Sequence, residues 1–595
     1  MMLIMLINIY LNNKNIFMKI KNKCFLLLCV LCISTLAIAQ STDKKKNKIS
    51  LSGTMGIIYE GYGLNVNPAG SNIYTPRRPW NQVRFNFVPI LKFSDKFTLP
   101  LNFNFAAIAT NFAGPYAGLK NQTLGQFLTN PSNNFAINPK YKWAELQLGT
   151  QYLKYSELST GDIGIFGAGV DLHPGNFIIK FFTGISQQGI NYSLLPLPNG
   201  VNGAYKRTHW MFQLGKEKEG VYKVALTFAK GKDKTNSVTS PPITALPQEG
   251  FNVSFLVDKY FKKGWTFKTE VAGTYFTRDL NMPLAPLLNN SFKPFIEGRT
   301  STGKDWAAVA SINKKSKNFD IGYATKYIGA GFQTTGYPFL QPDRWENTIN
   351  TRFNAWKEKV NVVASIGTRI NNVSNTSLAT NQFIANLNWF TQFNEHLSTN
   401  ISYNNFGFTS ASGFNPFGIK NVSNDIGLSS TYTWNNTKRM NLITVSYNLS
   451  KYDERDVNTG ITTTNNTHTV LLTYIPTYFN STLQPDFSVM YFNNTLPLVK
   501  NTLITLSSSL TASAAKKKVQ LRAQLQYTIG KLNSFSANKN LVASCNMDYK
   551  LSKKLTWNVL LSTNYYKYGN ELGLSSLDGA NYLESNYRTG LQFKF

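Results

Sequence analysis

From about residue 49 to the end of the chain, apolar side chains recur at every second position. Successive side chains of an extended strand point to opposite faces, so a period of two predicts strands with one apolar and one polar face. Val83, Phe85, Phe87, Pro89, Leu91 and Phe93 share one face, with Arg84, Asn86 and Lys92 on the other. Ser94-Asp95-Lys96 turns the chain. Phe97, Leu99, Leu101, Phe103 and Phe105 then resume the apolar face, opposite Thr98, Asn102 and Asn104. Far downstream, Val519, Leu521, Ala523, Leu525, Tyr527 and Ile529 alternate with Gln520, Arg522, Gln524, Gln526 and Thr528. Leu541, Ala543, Cys545, Met547, Tyr549 and Leu551 do the same against Ser544, Asn546, Asp548 and Lys550.

A soluble β-sandwich also alternates, so the period alone leaves the class open. Three further features decide it. The predicted strands run about 9–12 residues, longer than the usual strand of a soluble sheet and long enough to cross a bilayer when tilted. Short connections such as Lys262-Lys263-Gly264, Lys357-Glu358-Lys359 and Ser552-Lys553-Lys554 alternate with long polar ones, at 110–141, 278–304 and 567–581. The polar face carries Asn, Gln, Ser, Thr and isolated charges, and the apolar face almost none. In hydrocarbon every backbone group must find a partner within the protein, which for strands requires a closed sheet. These features predict an all-β chain forming a single transmembrane, antiparallel, up-and-down β-barrel.

The chain ends Arg588-Thr589-Gly590-Leu591-Gln592-Phe593-Lys594-Phe595, with Tyr587, Leu591, Phe593 and Phe595 on one face. This stretch resembles the β-signal of bacterial outer-membrane β-barrel proteins: a polar residue, any residue, Gly, two of any kind, an apolar residue, any residue, and a terminal aromatic. Arg588, Gly590, Phe593 and Phe595 occupy its defined positions. The resemblance implies insertion by the barrel-assembly machinery into the outer membrane of a diderm bacterium, among its lipid and lipopolysaccharide.

Alternating segments number about 24 or 25, and single-chain bacterial barrels close with an even number. The expectation is therefore about 24 strands, bounded by 22 and 26. Parity is weakest in 142–190, where 143–153, 164–172 and 177–185 are joined irregularly and one of them is a candidate inward-folded segment. Residues 1–39 read as a signal peptide. Lys19, Lys21 and Lys23 precede the apolar stretch 24–33, and Ala37-Ile38-Ala39 supplies a small-x-small cleavage site. Residues 40–48 form a short periplasmic segment and 49–595 the barrel. Nothing in 40–48 resembles the plug of TonB-dependent transporters, so any occlusion is expected from the loops or from another chain. Apolar, proline-rich stretches at 194–198, 241–247, 282–288 and 337–342 are candidates to fold inward as a constriction or to dock a partner. The alternative is that they cap the rim. Only Cys545 lies beyond residue 39, so no disulfide forms within the mature chain.

Composition sharpens this picture. Charged residues make up 15% of the 595 residues and aromatics 14%. So many aromatics with so little charge exclude a disordered chain. After residue 40 no apolar run approaches the roughly 18 residues of a membrane-spanning helix.

The formal net charge is +31, or +27 once the four lysines of residues 1–39 (Lys14, Lys19, Lys21 and Lys23) are removed. No nucleic-acid-binding motif accompanies it. Many lysines fall in short turns, where water and lipid headgroups meet them, and the excess of lysine over arginine also reads as compositional bias. By the alternation, Arg84, Lys92, Lys268, Arg352, Arg369, Arg522, Lys550, Arg588 and Lys594 face the lumen, against Asp258, Glu270 and Asp548. Such an excess in a confined lumen concentrates anions.

Chemistry is hard to place here. Of four histidines, His396 sits in His396-Leu397-Ser398-Thr399-Asn400, a departure at its last two positions from the motif of outer-membrane phospholipases. No metal-ligand cluster, cofactor motif or paired-carboxylate site is evident, so no enzyme, cofactor or metal is expected. The sequence reads best as a porin-like channel for passive passage of small solutes, with anions favoured. The alternative is a scaffold barrel in a surface secretion or adhesion assembly, engaging a protein partner through its extracellular loops.

Overall fold

A computed structural model describes residues 49–595, except 69–73, 75–77, 79–80, 109–123, 129–132, 162, 193–202, 286–294, 376–378, 411–418, 457–459, 479–481 and 570–578. The expected signal peptide and the segment 40–48 lie outside the described residues. So do the stretch 194–198 and residues 286–288.

Twenty-seven strand segments form one sheet in which every pairing is antiparallel and all but one pair of sequence neighbours are joined. β1 (Ser50–Asn67) pairs on one side with β2 (Asn81–Lys92) and on the other with β27 (Asn581–Lys594), which closes the sheet on itself. β4 (Asn134–Ile137) and β5 (Lys140–Tyr141) lie end to end, both between β3 (Phe97–Ile108) and β6 (Ala144–Tyr152). They fill one position in the ring, so the barrel has 27 − 1 = 26 strands. The sequence led us to expect about 24. The stretch 110–141, read as a loop, holds this interrupted strand and a short helix, Leu124–Leu128. Asn138-Pro139 breaks the strand because proline has no N–H to give to a ladder, and four residues are too few to show a period. The three irregular segments after residue 142 are all wall strands: β6, β7 (Gly164–Leu172) and β8 (Phe177–Gln187). The inward-folded piece is instead the connection between the first two.

The up-and-down order places 93–96, 261–264, 356–359 and 551–554 at the same end as both chain ends of the barrel. The long connections gather at the opposite end. The short-turn end corresponds to the periplasmic end of outer-membrane barrels. Uncovered apolar side chains ring the outside, as the alternation predicts: Leu226, Val271, Ile349, Leu472, Leu506 and Leu561 among many. Aromatics mark both edges of this belt. Trp143, Phe177, Trp265 and Phe393 lie near the short-turn end, and Trp306 and Trp345 near the other. Trp306 lies opposite Gly273, eight residues along the neighbouring strand from Trp265. At ~3.4 Å per residue and a tilt of ~40° this separates the girdles by roughly 21 Å, close to the ~25 Å apolar band of such barrels.

The last strand closes the wall. Gly53 N donates to Phe595 O at 3.1 Å and Phe595 N to Gly53 O at 3.2 Å. Phe595 packs on Phe87 and Phe593, with ring centroids 6.3 and 5.9 Å away. Gly590 faces Ile58 in the β1 ladder, and Tyr587 and Leu591 point outward.

One ladder is short. β17 (Thr380–Gln392) and β18 (Leu397–Ser410) pair from Gln392↔Ser398 to Asn386↔Asn404 and no further among the described residues. Their other neighbours stay paired to the end, at Asn371↔Thr380 and Ser410↔Ile419. The wall therefore carries a seam on its extracellular side.

Candidate functional site

The barrel interior is filled unevenly. Two connections, 153–163 and 329–343, fold inward and meet over the inner face of the strands from β7 to β14 (Phe319–Ile328). Small side chains at the inward positions make room for them. Ala225 and Ala229 on β10 (Tyr222–Lys234), Ala272 on β12 (Trp265–Thr277) and Ala307 on β13 (Thr302–Lys315) stand where bulkier polar residues line the rest of the wall.

The first connection starts with Leu153 and Tyr155, buried against Ile165, Phe182, Met211 and Ala229. Burial raises the Tyr155 phenol pKa well above its ordinary value, with Asp171 adding to the effect. Its tip is Leu158, with no solvent exposure, packed against Ala272, Ala307, Ile328, Phe332 and Leu340. The last two belong to the second connection, so the two loops share one apolar core. Full burial of a leucine stabilises by about 1.5–3 kcal/mol.

Polar groups hold the tip as well. Both Glu270 carboxylate oxygens accept backbone N–H groups, from Glu157 at 2.9 Å and Leu158 at 3.2 Å. Gln213 Nε2 donates to Tyr155 O and to Thr227 Oγ1, each at 2.9 Å. Lys326 Nζ meets Glu157 Oε1 at 2.8 Å. The loops also bond to each other. Gly161 N donates to Gly336 O at 2.7 Å and Thr334 Oγ1 to Ser159 O at 3.1 Å. Glycine is required at 336, because a Cβ there would sit 2.5 Å from the Ser159 carbonyl oxygen.

Of the proline-rich stretches, 337–342 contributes to this inward pair through Tyr337 and Leu340. The stretch 241–247 stays at the rim, where Tyr205 OH donates to Ala245 O and Leu280 N to Pro247 O. Met282 is likewise held at the rim, its carbonyl accepting from Arg299 Nη1 at 2.7 Å.

The charged residues expected to line the lumen separate into groups. Arg84 pairs with Glu60 at 3.3 Å, and Arg588 stands directly opposite Glu60. Lys268 pairs with Asp258 at 3.8 Å, and Arg369 with Glu346 at 2.8 Å. Glu270 faces inward but is 2% exposed and serves the loop tip rather than the aqueous path. Asp548 accepts from Asn558 Nδ2. Lys92, Arg352, Arg522, Lys550 and Lys594 make no ion pair among the described residues, and all lie near the short-turn end of their strands. The lysines of the turns 261–264, 356–359, 515–518 and 551–554 surround them. Positive charge thus predominates at the periplasmic mouth over the inward acids there, Asp320 opposite Arg352, Asp486 and Asp548. The inward acids Glu60 and Glu346 escaped the sequence reading, although each sits at a polar position of an alternating strand. His396 lies in the turn 393–396, its Nδ1 2.8 Å from Thr433 O.

Beyond the loop pair the wall is polar. Ser429 and Ser446 bond across neighbouring strands at 2.8 Å, Thr431 and Thr444 at 3.0 Å, and Thr505 and Thr528 at 3.0 Å. Gln524 and Gln526 lie at inward positions of β24 (Val519–Leu532).

No family model and no curated protein sequence matches this chain. Solved structures similar to it include a mutant ferric enterobactin receptor of Pseudomonas aeruginosa in complex with enterobactin, 11% identical, with a TM-score of 0.43, covering 91% of this chain and 82% of that one. The P pilus usher translocation pore is 8% identical, with a TM-score of 0.33 and coverages of 92% and 99%. The FrpB iron transporter of Neisseria meningitidis in its apoprotein form is 11% identical, with a TM-score of 0.33 and coverages of 77% and 87%. The closed antiparallel wall, with its outward apolar belt and aromatic girdles, is that of a transmembrane β-barrel of the outer-membrane type.

Proposed function

We propose that this protein is a passive outer-membrane channel whose water-filled path runs between the inward loop pair and the polar wall opposite. The observation that carries the reading is the uneven filling of the lumen: one side packed by 153–163 and 329–343, the other lined by Ser, Thr, Asn and Gln. A polar lining lets hydrated solutes pass without losing their water, and the loop pair narrows the section available to them. Anions are favoured at the periplasmic mouth, where Lys92, Arg352, Arg522, Lys550 and Lys594 make no ion pair among the described residues and outnumber the inward acids Asp320, Asp486 and Asp548. In the upper lumen Glu60 and Glu346 offset Arg84 and Arg369, so selectivity arises at the mouth rather than along the whole bore.

The purified protein in a planar bilayer tests this. Discrete conductance steps are expected, with a reversal potential of anion-selective sign in a salt gradient. Screening shortens the reach of charge from ~10 Å at 0.1 M salt to ~3 Å at 1 M, so the preference should fade at high salt. A silent bilayer refutes the channel, and cation preference refutes the role of the mouth.

A scaffold role is favoured by one observation. Ile243 is 97% exposed on the rim connection 241–247, and such a tip suits a protein partner. Silence in the bilayer together with copurification of a stoichiometric partner supports that reading instead.

A further inference from the structure

The seam between β17 and β18 shelters a recess of about 360 Å³, within the range of small-molecule sites. Its lining comes from four adjacent strands: β15 (Arg344–Ala355), β16 (Val360–Asn371), β17 and β18. Two buried polar atoms there lack partners among the described residues. Gln382, 6% exposed, has a free Nε2 donor, and Asn405, 7% exposed, has a free Oδ1 acceptor. Unpaired polar atoms this deeply buried cost about 1–3 kcal/mol each. A ligand that satisfied both would recover that cost.

The charges of the recess are already spent. Arg369 Nε and Nη2 reach Glu346 Oε2 at 2.9 and 2.8 Å, and Arg369 Nη1 donates to Gly407 O at 3.2 Å. That last bond occupies a carbonyl which the interrupted ladder leaves available. With the ion pair closed on itself, the recess offers no net charge to an ionic ligand. What remains is a mixture of amide and hydroxyl groups, among them Thr348, Ser365 and Asn386, with Ile384 as the one apolar side chain. Donors and acceptors alternate at short spacing, and the group that answers both is a hydroxyl, which donates and accepts at once.

We propose that this recess binds a neutral sugar ring, as a free mono- or disaccharide or as the head of a glycolipid entering by the seam. The inference does not require that the barrel conduct, since binding at the wall is an equilibrium property of the folded protein.

The test is calorimetric titration of the full protein, purified in a sugar-free polyoxyethylene detergent, with maltose, with an alkyl glucoside below its micelle concentration, and with glycylglycine as a zwitterionic control. Saturable heat with maltose supports a free-sugar site, and saturation with the glucoside alone supports a glycolipid head. Gln382→Leu should weaken binding roughly 3- to 10-fold, the loss of one neutral hydrogen bond. Gly407→Ala should also weaken it, because a methyl group there would overlap the Gln382 amide. Heat-modifiable electrophoretic migration, the mark of a closed barrel, verifies that both variants fold. No saturation by either sugar overturns the site, as does tighter binding of glycylglycine. Unchanged affinity in Gln382→Leu overturns its placement. Conductance recorded on the same preparation keeps failure of the channel separate from failure of the site.

Discussion

Replacing Glu270 should release the inward loop pair. Its two carboxylate oxygens accept the N–H groups of Glu157 and Leu158 at the buried tip of 153–163. In Glu270→Ala both donors lose their acceptor in a site with no solvent exposure at Leu158. An orphaned buried donor costs about 1–3 kcal/mol and the part-buried Glu157 donor less, so docking weakens by roughly 2–4 kcal/mol. Entry of water into the vacated space holds the loss toward the lower value. In Glu270→Gln the carbonyl oxygen still accepts one N–H while the amide nitrogen faces the other, so about half the loss is expected. A loss of ~2.8 kcal/mol changes the ratio of docked to undocked loops about 100-fold. The burial of Leu158 among Ala272, Ala307, Ile328, Phe332 and Leu340 opposes complete release. Single-channel recordings should therefore show excursions to a higher conductance, rare in the wild type, more frequent in the glutamine variant and commonest in the alanine variant. If the alanine variant folds and its conductance and noise match the wild type, the loop pair does not bound the path and the reasoning fails.

Other perturbations act on separate parts of the barrel. Gly336→Ala places a methyl group against the Ser159 carbonyl oxygen, and should raise open-channel noise as Glu270→Gln does, while the barrel keeps its heat-modifiable migration. Arg522→Glu combined with Lys550→Glu changes the charge of the periplasmic mouth by four units (two per site), and should move the 0.1 M reversal potential toward cations. An unmoved potential assigns the selectivity elsewhere. Phe595→Ser removes the packing on Phe87 and Phe593 and the terminal aromatic of the closing strand. Yield of protein resistant to protease in the outer membrane should fall several-fold, whereas unaltered yield denies the closing strand its role in assembly.

The wall of this protein was legible in the sequence because its determinants are local. Alternation along Val519–Leu532 or Asn538–Lys550 sets which side chains meet lipid, and a turn such as Ser552-Lys553-Lys554 sets where the chain reverses. Each can be read within a dozen residues, and the closing strand ending in Phe595 could be read from its own eight. The strand at 134–141 was hidden because Asn138-Pro139 divides it into pieces shorter than a recognisable period. What fills the barrel depends on partners far apart in the chain. Leu158 finds Leu340, Glu270 finds the Glu157 and Leu158 amides, and Glu60 finds Arg84 while facing Arg588, only after the ring has closed and the register is set. The advance signals were the apolar, proline-rich stretch 337–342 and the small inward residues Ala225, Ala229, Ala272 and Ala307, whose meaning needed the loops that rest on them. A strand's two faces follow from the geometry of its own backbone. The contents of the lumen follow from what the opposite wall and the returning loops present, and only the tertiary structure decides that.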